Sequence, residues 1–241
     1  MPEFRPVGNR ASLLVAETFG DKKPTFQGEG PSCGTPAVFI RLSRCNLSCS
    51  WCDTKYTWDW AHYDPRKESA RLGVTALAEW ALSMPPGLVV ITGGEPLLQQ
   101  PKLALLVPRL VAGGKRVEVE TNGTVAPDPA LLADGVTFNV SPKLANSGVA
   151  EAKRIVPGPL ETLAASGRAV FKFVVADVDD LDEIAGLAGR FGLEPVYVMP
   201  EAGTSEKLLE RTRLLAGPAA ARGWHFTTRL QVQAFDCARG L

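Results

Sequence analysis

The chain reads as an α/β protein, a partial, TIM-like βα barrel with about six parallel core strands. Three observations predict it. Strand-like and helix-like segments alternate from end to end, and the strand-like ones are nearly continuous in Val, Ile and Phe. The 241 residues also fall short of the roughly 250 that a complete eight-unit barrel usually needs. Alternation implies parallel strands joined by right-handed crossovers. Continuous hydrophobicity suits strands buried on both faces.

The elements follow in order. A short strand near 13–18 precedes PAVFIRL (36–42), GLVVIT (87–92), RVEVE (116–120), GVTFNV (135–140), AVFKFVV (169–175) and PVYVM (195–199), and a last strand is expected near 226–233. Helices are predicted over 75–83, 102–112, 180–191 and 205–222. Asp177, Asp179 and Asp180 supply capping carboxylates for the third of them. No repeat, low-complexity tract or linker interrupts this rhythm, so residues 1–241 read as one domain.

Composition narrows the function classes. Hydrophobic residues make up 45% and charged ones 22%, as in an ordinary globular protein. Lys+Arg and Asp+Glu are both 26, which leaves no basic field to hold nucleic acid or an anionic membrane. No stretch has the length to span a bilayer, and the N-terminal residues do not read as a signal peptide. The five cysteines are odd in number and clustered, which fits a reduced compartment better than a disulfide framework. The expectation is a cytoplasmic protein with neither nucleic-acid nor membrane partners.

Three of those cysteines stand in the run Cys45-Asn-Leu-Ser-Cys49-Ser-Trp-Cys52. They cannot pair among themselves without leaving one over, but all three can hold one inorganic body. A cubane iron–sulfur cluster normally takes four thiolates; three would leave one iron open to activate another molecule. The alternative is a zinc site completed by Cys33, His62 or Cys237, although none of these has a paired-ligand spacing. Cys33 and Cys237 read as small buried residues, and His225, in a strand-like stretch, as packed.

Every polar, glycine-rich signature falls at the C-terminal end of a predicted strand. The cysteine loop follows PAVFIRL, TGGEP (92–96) follows GLVVI, ETNGT (120–124) follows RVEV, SPK (141–143) follows TFNV and PEAGT (200–204) follows VYVM. In parallel βα folds the site is built on that face, so five loops make one site. The TGGEP glycines allow close backbone approach to a ligand, and Glu95 is suited to accept from an amino acid's ammonium. Ser141 and Lys143 suit ribose and carboxylate groups, or equally a helix cap and a solvated lysine. Arg41 suits bidentate pairing with a carboxylate or a salt bridge inside the barrel. Glu120 and Thr92 are expected to face the same volume. Thr54 offers a hard oxygen for Mg²⁺ or a loop cap. Trp51 stands between cluster ligands; Trp58, Trp60 and Tyr63 read as core or lid packing.

CxxxCxxC after the first core strand and GGEP after the second resemble the radical S-adenosylmethionine (SAM) superfamily. Within it, the chain resembles the 7-carboxy-7-deazaguanine synthase family of deazapurine (queuosine) biosynthesis. The residues that carry the resemblance are TFQGEG (25–30), PAVFIRLSRCNLSCSWCDT (36–54), TGGEPLLQ (92–99), ETNG (120–123), SPK and a C-terminal ARGL (238–241).

The resemblance implies a partial barrel of the radical SAM type. A 4Fe–4S cluster would sit on Cys45, Cys49 and Cys52, and Mg²⁺ on Thr54 would bridge to a substrate carboxylate. SAM contacts are implied at Trp51, Asp53, Gly94, Glu95, Ser141, Pro142, Lys143, Met199, Pro200, Glu201 and Ala202, though relatives often have glutamine in place of Met199. Substrate contacts are implied at Phe26, Gln27, Gly28, Glu29, Arg41, Thr92 and Glu120. The C-terminal segment departs from relatives that carry a histidine or a Trp-Gly pair there. The implied reaction abstracts hydrogen from C6 of 6-carboxy-5,6,7,8-tetrahydropterin, contracts the ring and releases ammonia to give 7-carboxy-7-deazaguanine. An electron donor such as flavodoxin or ferredoxin, and a homodimer, are implied as well. Two rivals stand beside this reading. A glycyl-radical activating enzyme shares the cysteine spacing, acts on a protein partner and has no need of QGEG or CDT. A zinc-stapled binding module would have no catalysis.

Overall fold

A computed structural model describes residues 11–236 and 238–240. Cys237 and Leu241, the last residue of ARGL, lie outside the described residues, as do residues 1–10.

The chain opens with β1 (Ser12–Phe19), β2 (Thr25–Phe26) and β3 (Pro36–Leu42), followed by α1 (Pro65–Glu68), β4 (Ala70–Gly73) and α2 (Val74–Ser83). The βα rhythm then runs through β5 (Leu88–Gly93), α3 (Gln100–Ala112), β6 (Arg116–Thr121), β7 (Val136–Val140), α4 (Glu151–Arg154), α5 (Pro157–Ala165), β8 (Ala169–Val175) and α6 (Asp180–Phe191). It closes with β9 (Val196–Pro200), α7 (Ser205–Ala221), β10 (His225–Phe226) and α8 (Leu230–Phe235). One curved sheet orders them β10-β9-β8-β7-β6-β5-β3-β1-β4. Every pairing from β3 through to β10 is parallel, whereas β1 pairs antiparallel with both β3 and β4. This is the expected partial barrel, with a short antiparallel flank on one side.

Alternation along the strands sorts the side chains. Val38, Ile40, Leu42, Val89, Ile91, Val117, Val119, Phe138, Phe171 and Phe173 pack with helix residues such as Leu77, Leu106, Leu160 and Ile184 in the main core. The intervening positions point the other way, because successive strand side chains take opposite faces. There stand Arg41, Thr92, Glu118, Glu120, Asn139 and Lys172. The strands are therefore apolar toward the helices; their other face carries a small apolar cluster of Phe19, Ala37, Phe39, Leu88 and Val90 on β1, β3 and β5 and turns polar at these six residues.

Local signals place the helices. Thr204 caps α7, accepting from the Lys207 amide at 3.3 Å. At α6 the working carboxylate is Asp180, which accepts from the amides of Ala176 (2.7 Å) and Asp177 (3.1 Å). Asp179 makes no side-chain cap bond, a correction to its expected role. The expected final strand over 226–233 is also corrected: only His225–Phe226 pairs with β9, and Leu230–Phe235 is helical. The turn is set at its start, where the Leu230 amide donates to the Gly28 carbonyl at 2.9 Å. Val232 then packs on Ala202 and Leu208. The described residues contain no helix long and apolar enough to cross a membrane.

Candidate active site

A cavity of about 310 Å³ opens at the C-terminal ends of the parallel strands. Its walls include the cysteine loop, the end of β5, the ends of β6 to β9, the loop after β2, and the segment around α8. The convergence anticipated from the strand-end signatures is therefore present.

Cys45, Cys49, Trp51 and Cys52 line one wall. All three cysteines are free thiols, and they pack with Leu47 and Val149 in a small apolar cluster. Burial pushes the Cys45 thiol up to about 11 and raises that of Cys49. The Leu47 amide reaches Cys45 Sγ at 3.5 Å. The Trp58 indole N–H donates to Cys52 Sγ at 3.3 Å. Trp58, expected only to pack, is thus part of the site. Thr54 Oγ1 lies 3.6 Å from Cys52 Sγ and also lines the cavity.

The TGGEP loop is pressed against the cysteine loop. A Cβ on Gly93, whose φ is +133°, would stand 2.0 Å from the Leu42 carbonyl oxygen, and one on Gly94 would stand 2.0 Å from that of Arg44. The Glu95 amide donates to the Arg44 carbonyl at 2.8 Å. The glycines therefore permit close approach of two site loops to each other. Glu95 itself is fully buried and does not line the cavity. Its carboxylate accepts from Thr121 Oγ1 (2.7 Å) and from the amides of Leu97 (3.0 Å) and Asn122 (2.7 Å). Burial raises its pKa. Glu95 thus ties β6 to the loop after β5.

Gly94, Ser141, Lys143, Met199 and Glu201 line the cavity, whereas Pro142, Pro200 and Ala202 do not. Lys143 Nζ donates to Ser141 Oγ at 2.8 Å and sits 5.7 Å over the Trp51 ring. Glu201 is held by Arg211 and, at 3.3 Å, by Lys207. Ala202 is buried against Leu208 and Val232.

The remaining wall carries Phe26, Gln27, Gly28, Glu29, Arg41, Thr92 and Glu120, all lining the cavity. Arg41 donates to Glu17 at 2.7 Å, and the Tyr56 hydroxyl donates to the same carboxylate oxygen at 2.5 Å. Arg41 thus makes the expected salt bridge inside the barrel and also lines the cavity. Thr92 Oγ1 donates to Glu120 at 2.6 Å. Gln27 Nε2 donates to Glu120 at 3.1 Å and to Glu118 at 3.3 Å, so its amide is spent on holding strand carboxylates. A Cβ on Gly28 would meet Gln231 Oε1 at 1.8 Å; its bareness accommodates α8.

Sequence reasoning missed Lys172, Arg229, Gln231, Asn139 and Tyr56, all of which line the cavity. Lys172 and Asn139 had a signal, a polar residue alternating within an apolar strand. Arg229 had none: it reaches Glu29 (3.1 Å), Asp53 (2.5 Å) and the Ala202 carbonyl (2.5 Å) from a segment read as strand. Trp60 and Tyr63 are partly exposed outside the cavity. His225 is exposed and stacks on Tyr197 at 4.6 Å.

Comparison with known proteins decides among the chemistries this arrangement permits. A family model described as the radical SAM superfamily matches residues 39–163. The chain is 40% identical over 227 residues to a 7-carboxy-7-deazaguanine synthase of Hyperthermus butylicus, covering 91% of this chain and 92% of that one. It is 38% identical over 221 residues to one of Pyrobaculum aerophilum, covering 90% and 93%. The chain belongs to the 7-carboxy-7-deazaguanine synthase family of radical SAM enzymes. The crystal structure of QueE from Escherichia coli agrees with a TM-score of 0.70 at 27% identity, covering 91% of this chain and 94% of that chain. Streptococcus suis SuiB bound to S-adenosylmethionine shares the fold, with a TM-score of 0.56 at 14% identity over 79% of this chain and 50% of that one.

A radical SAM enzyme uses a 4Fe–4S cluster and SAM, and the donor set of this synthase family member fits the cluster. Three free thiols share one apolar wall of a cavity whose other walls carry Glu29, Arg41, Glu120, Lys172 and Arg229. Among the described residues no three His, Cys, Asp or Glu side chains gather as ligands of a single ion. A cubane spreads its thiolates over separate irons, an arrangement that a single-ion grouping does not describe.

Proposed function

We propose that this chain forms 7-carboxy-7-deazaguanine from 6-carboxy-5,6,7,8-tetrahydropterin in the cavity described above. As a member of its family it is a radical SAM, carbon–nitrogen lyase type of enzyme in deazapurine synthesis. When bound, the reduced cluster and SAM supply hydrogen-abstracting chemistry.

The protein's own residues position the reactants. In this reading Cys45, Cys49 and Cys52 hold the cluster, and Gly94, Ser141, Lys143, Met199 and Glu201 shape the SAM side. Arg41 offers its guanidinium to the pterin carboxylate. Its Nε is occupied by Glu17, and among the described residues its terminal nitrogens have no hydrogen-bonded partner. Glu120 accepts from the pyrimidine edge, oriented by Thr92 and Gln27. Asp53 sits on Arg229, joining the cluster loop to the substrate side. Thr54 is the hard-oxygen ligand for Mg²⁺.

The observation that carries the proposal is the two-sided cavity, free thiols on one wall and paired carboxylates with cations on the other. It supports neither a zinc staple nor a site for a protein backbone. The reading also includes a cytoplasmic setting, one domain over 1–241, a homodimer, and reduction by a donor such as flavodoxin or ferredoxin. The test is anaerobic cluster reconstitution followed by turnover of the carboxypterin with and without Mg²⁺. Formation of 7-carboxy-7-deazaguanine, faster with Mg²⁺, is expected. SAM cleavage with no deazapurine product would overturn the substrate assignment, and turnover indifferent to Mg²⁺ would remove the metal.

A further inference from the structure

Lys172 is a cation in the middle of an apolar strand, AVFKFVV, and only 4% of its surface is exposed. Burying a lysine costs free energy unless carboxylates compensate. Lys172 has two: Nζ donates to Glu29 Oε2 at 2.5 Å and lies 3.8 Å from Glu120 Oε1. Both carboxylates line the cavity, yet they are differently placed. Glu29 also accepts from Arg229 Nε (3.1 Å) and Gln231 Nε2 (2.6 Å), so three side chains occupy it. Among the described residues Glu120 accepts only from Gln27 and Thr92, and a carboxylate offers about four lone-pair sites. Glu29 thus serves as the anchor and Glu120 as the acceptor with capacity to spare.

We propose that Lys172 is a positioning residue for substrate, held by Glu29 so that its ammonium, 3.8 Å from Glu120 Oε1, keeps that carboxylate aimed as acceptor for adjacent ring N–H donors. A ring that presents an N–H beside an exocyclic amino group, as the pyrimidine edge of a pterin does, donates two parallel hydrogen bonds to such a carboxylate. The inference rests on the substrate class proposed above. The charged and titratable groups around this pair include Glu29 and Cys33 from the loop after β2, Arg41 from β3, Glu120 from β6, and Arg229 from the segment before α8. Arg229 in turn carries Asp53 from the cysteine loop. Burial opposes charge on both Glu29 and Lys172. Their attraction, with Arg229 and Glu120 contributing, still leaves Glu29 well below the ordinary carboxylate range and Lys172 above the ordinary lysine value.

The test compares wild type, Lys172→Met, Glu120→Gln and the double variant as reconstituted enzymes. Lys172→Met is expected to raise KM for the carboxypterin about ten- to hundredfold, the scale of a hydrogen bond to a charged group. KM for SAM and iron content should stay at wild-type values. Because Lys172 acts through Glu120, the double variant should be no worse than Glu120→Gln alone. If Lys172→Met does not accumulate as folded protein, Lys172→Gln carries the same comparison. An unchanged carboxypterin KM, or losses that add in the double variant, would overturn the inference. Wild-type enzyme that turns over no carboxypterin would instead defeat the substrate reading beneath it.

Discussion

The indole N–H of Trp58 points at Cys52 Sγ from 3.3 Å, so one expected cluster ligand carries a hydrogen bond from six residues downstream. Donors to cluster sulfurs stabilise the more negative, reduced state and raise the potential. Trp58→Phe keeps the ring and removes the donor. The variant should load iron normally, and its cluster should show a lower midpoint potential in an EPR-monitored redox titration. A potential equal to wild type would show that this bond does not reach the loaded cluster.

Gly94 and Arg44 make a second prediction. Gly94→Ala would place a methyl 2.0 Å from the Arg44 carbonyl oxygen and 2.9 Å from Cys45 Cβ. Backbone cannot yield as a flexible side chain would, so the cysteine loop must shift. Overpacking of this kind costs about 1–3 kcal/mol, or a melting point lower by roughly 2–12 °C for a chain of this size. Calorimetry of the apoprotein should show that drop, and reconstitution should give less iron per chain. Unaltered melting would mean that the two loops are less tightly apposed.

These relationships explain what could be read in advance. PAVFIRL, AVFKFVV and the helix over 180–191 coincide with β3, β8 and α6 because strong apolar patterning left a single solution. The strand-end rule placed the cavity. Burial on both faces holds for β3 and β5, whereas single polar residues such as Glu118, Asn139 and Lys172 are hidden within hydrophobic runs although each takes the face opposite its apolar neighbours. The bonds that tie Glu95 to β6 are not legible, because a carboxylate in a glycine loop has no sequence mark for donors arriving from another strand. Arg229 and Gln231 were invisible for a similar reason: their partners in the loop after β2 are joined only by the closing of the sheet.

Glu95 supplies the third prediction. Glu95→Ala would orphan the Thr121 hydroxyl and the amides of Leu97 and Asn122, each costing about 1–3 kcal/mol when buried without a partner. The apoprotein should therefore unfold at markedly lower denaturant concentration with SAM absent. Stability equal to wild type in that experiment would mean that these three bonds do not hold the two segments together.

Cys49→Ala separates ligation from packing. Cys49 is buried beside Leu47 and Val149, and alanine preserves a small apolar side chain there. The variant should keep its secondary structure by circular dichroism, hold much less iron and release no 5′-deoxyadenosine from SAM. Persistent SAM cleavage would remove Cys49 from the ligand set.

The last prediction concerns acid. Burial acts to raise the Glu29 pKa from its ordinary 4.5, but Lys172 and Arg229 overcome it and hold the group well below that value. An acid with a depressed folded-state pKa contributes stability that is present above the unfolded value and is lost as pH falls toward the folded one. Glu29→Gln removes the titration along with the charge. The difference in unfolding free energy between wild type and Glu29→Gln should therefore be flat from neutral pH down to about 4.5 and should narrow only below it. Lys172 and Arg229 stay protonated across that window, since both are shifted upward, so the narrowing reports the carboxylate. Denaturant unfolding of the apoprotein at stepped pH measures this. A gap that closes between pH 7 and 5 would mean that Glu29 is not held by its two cations.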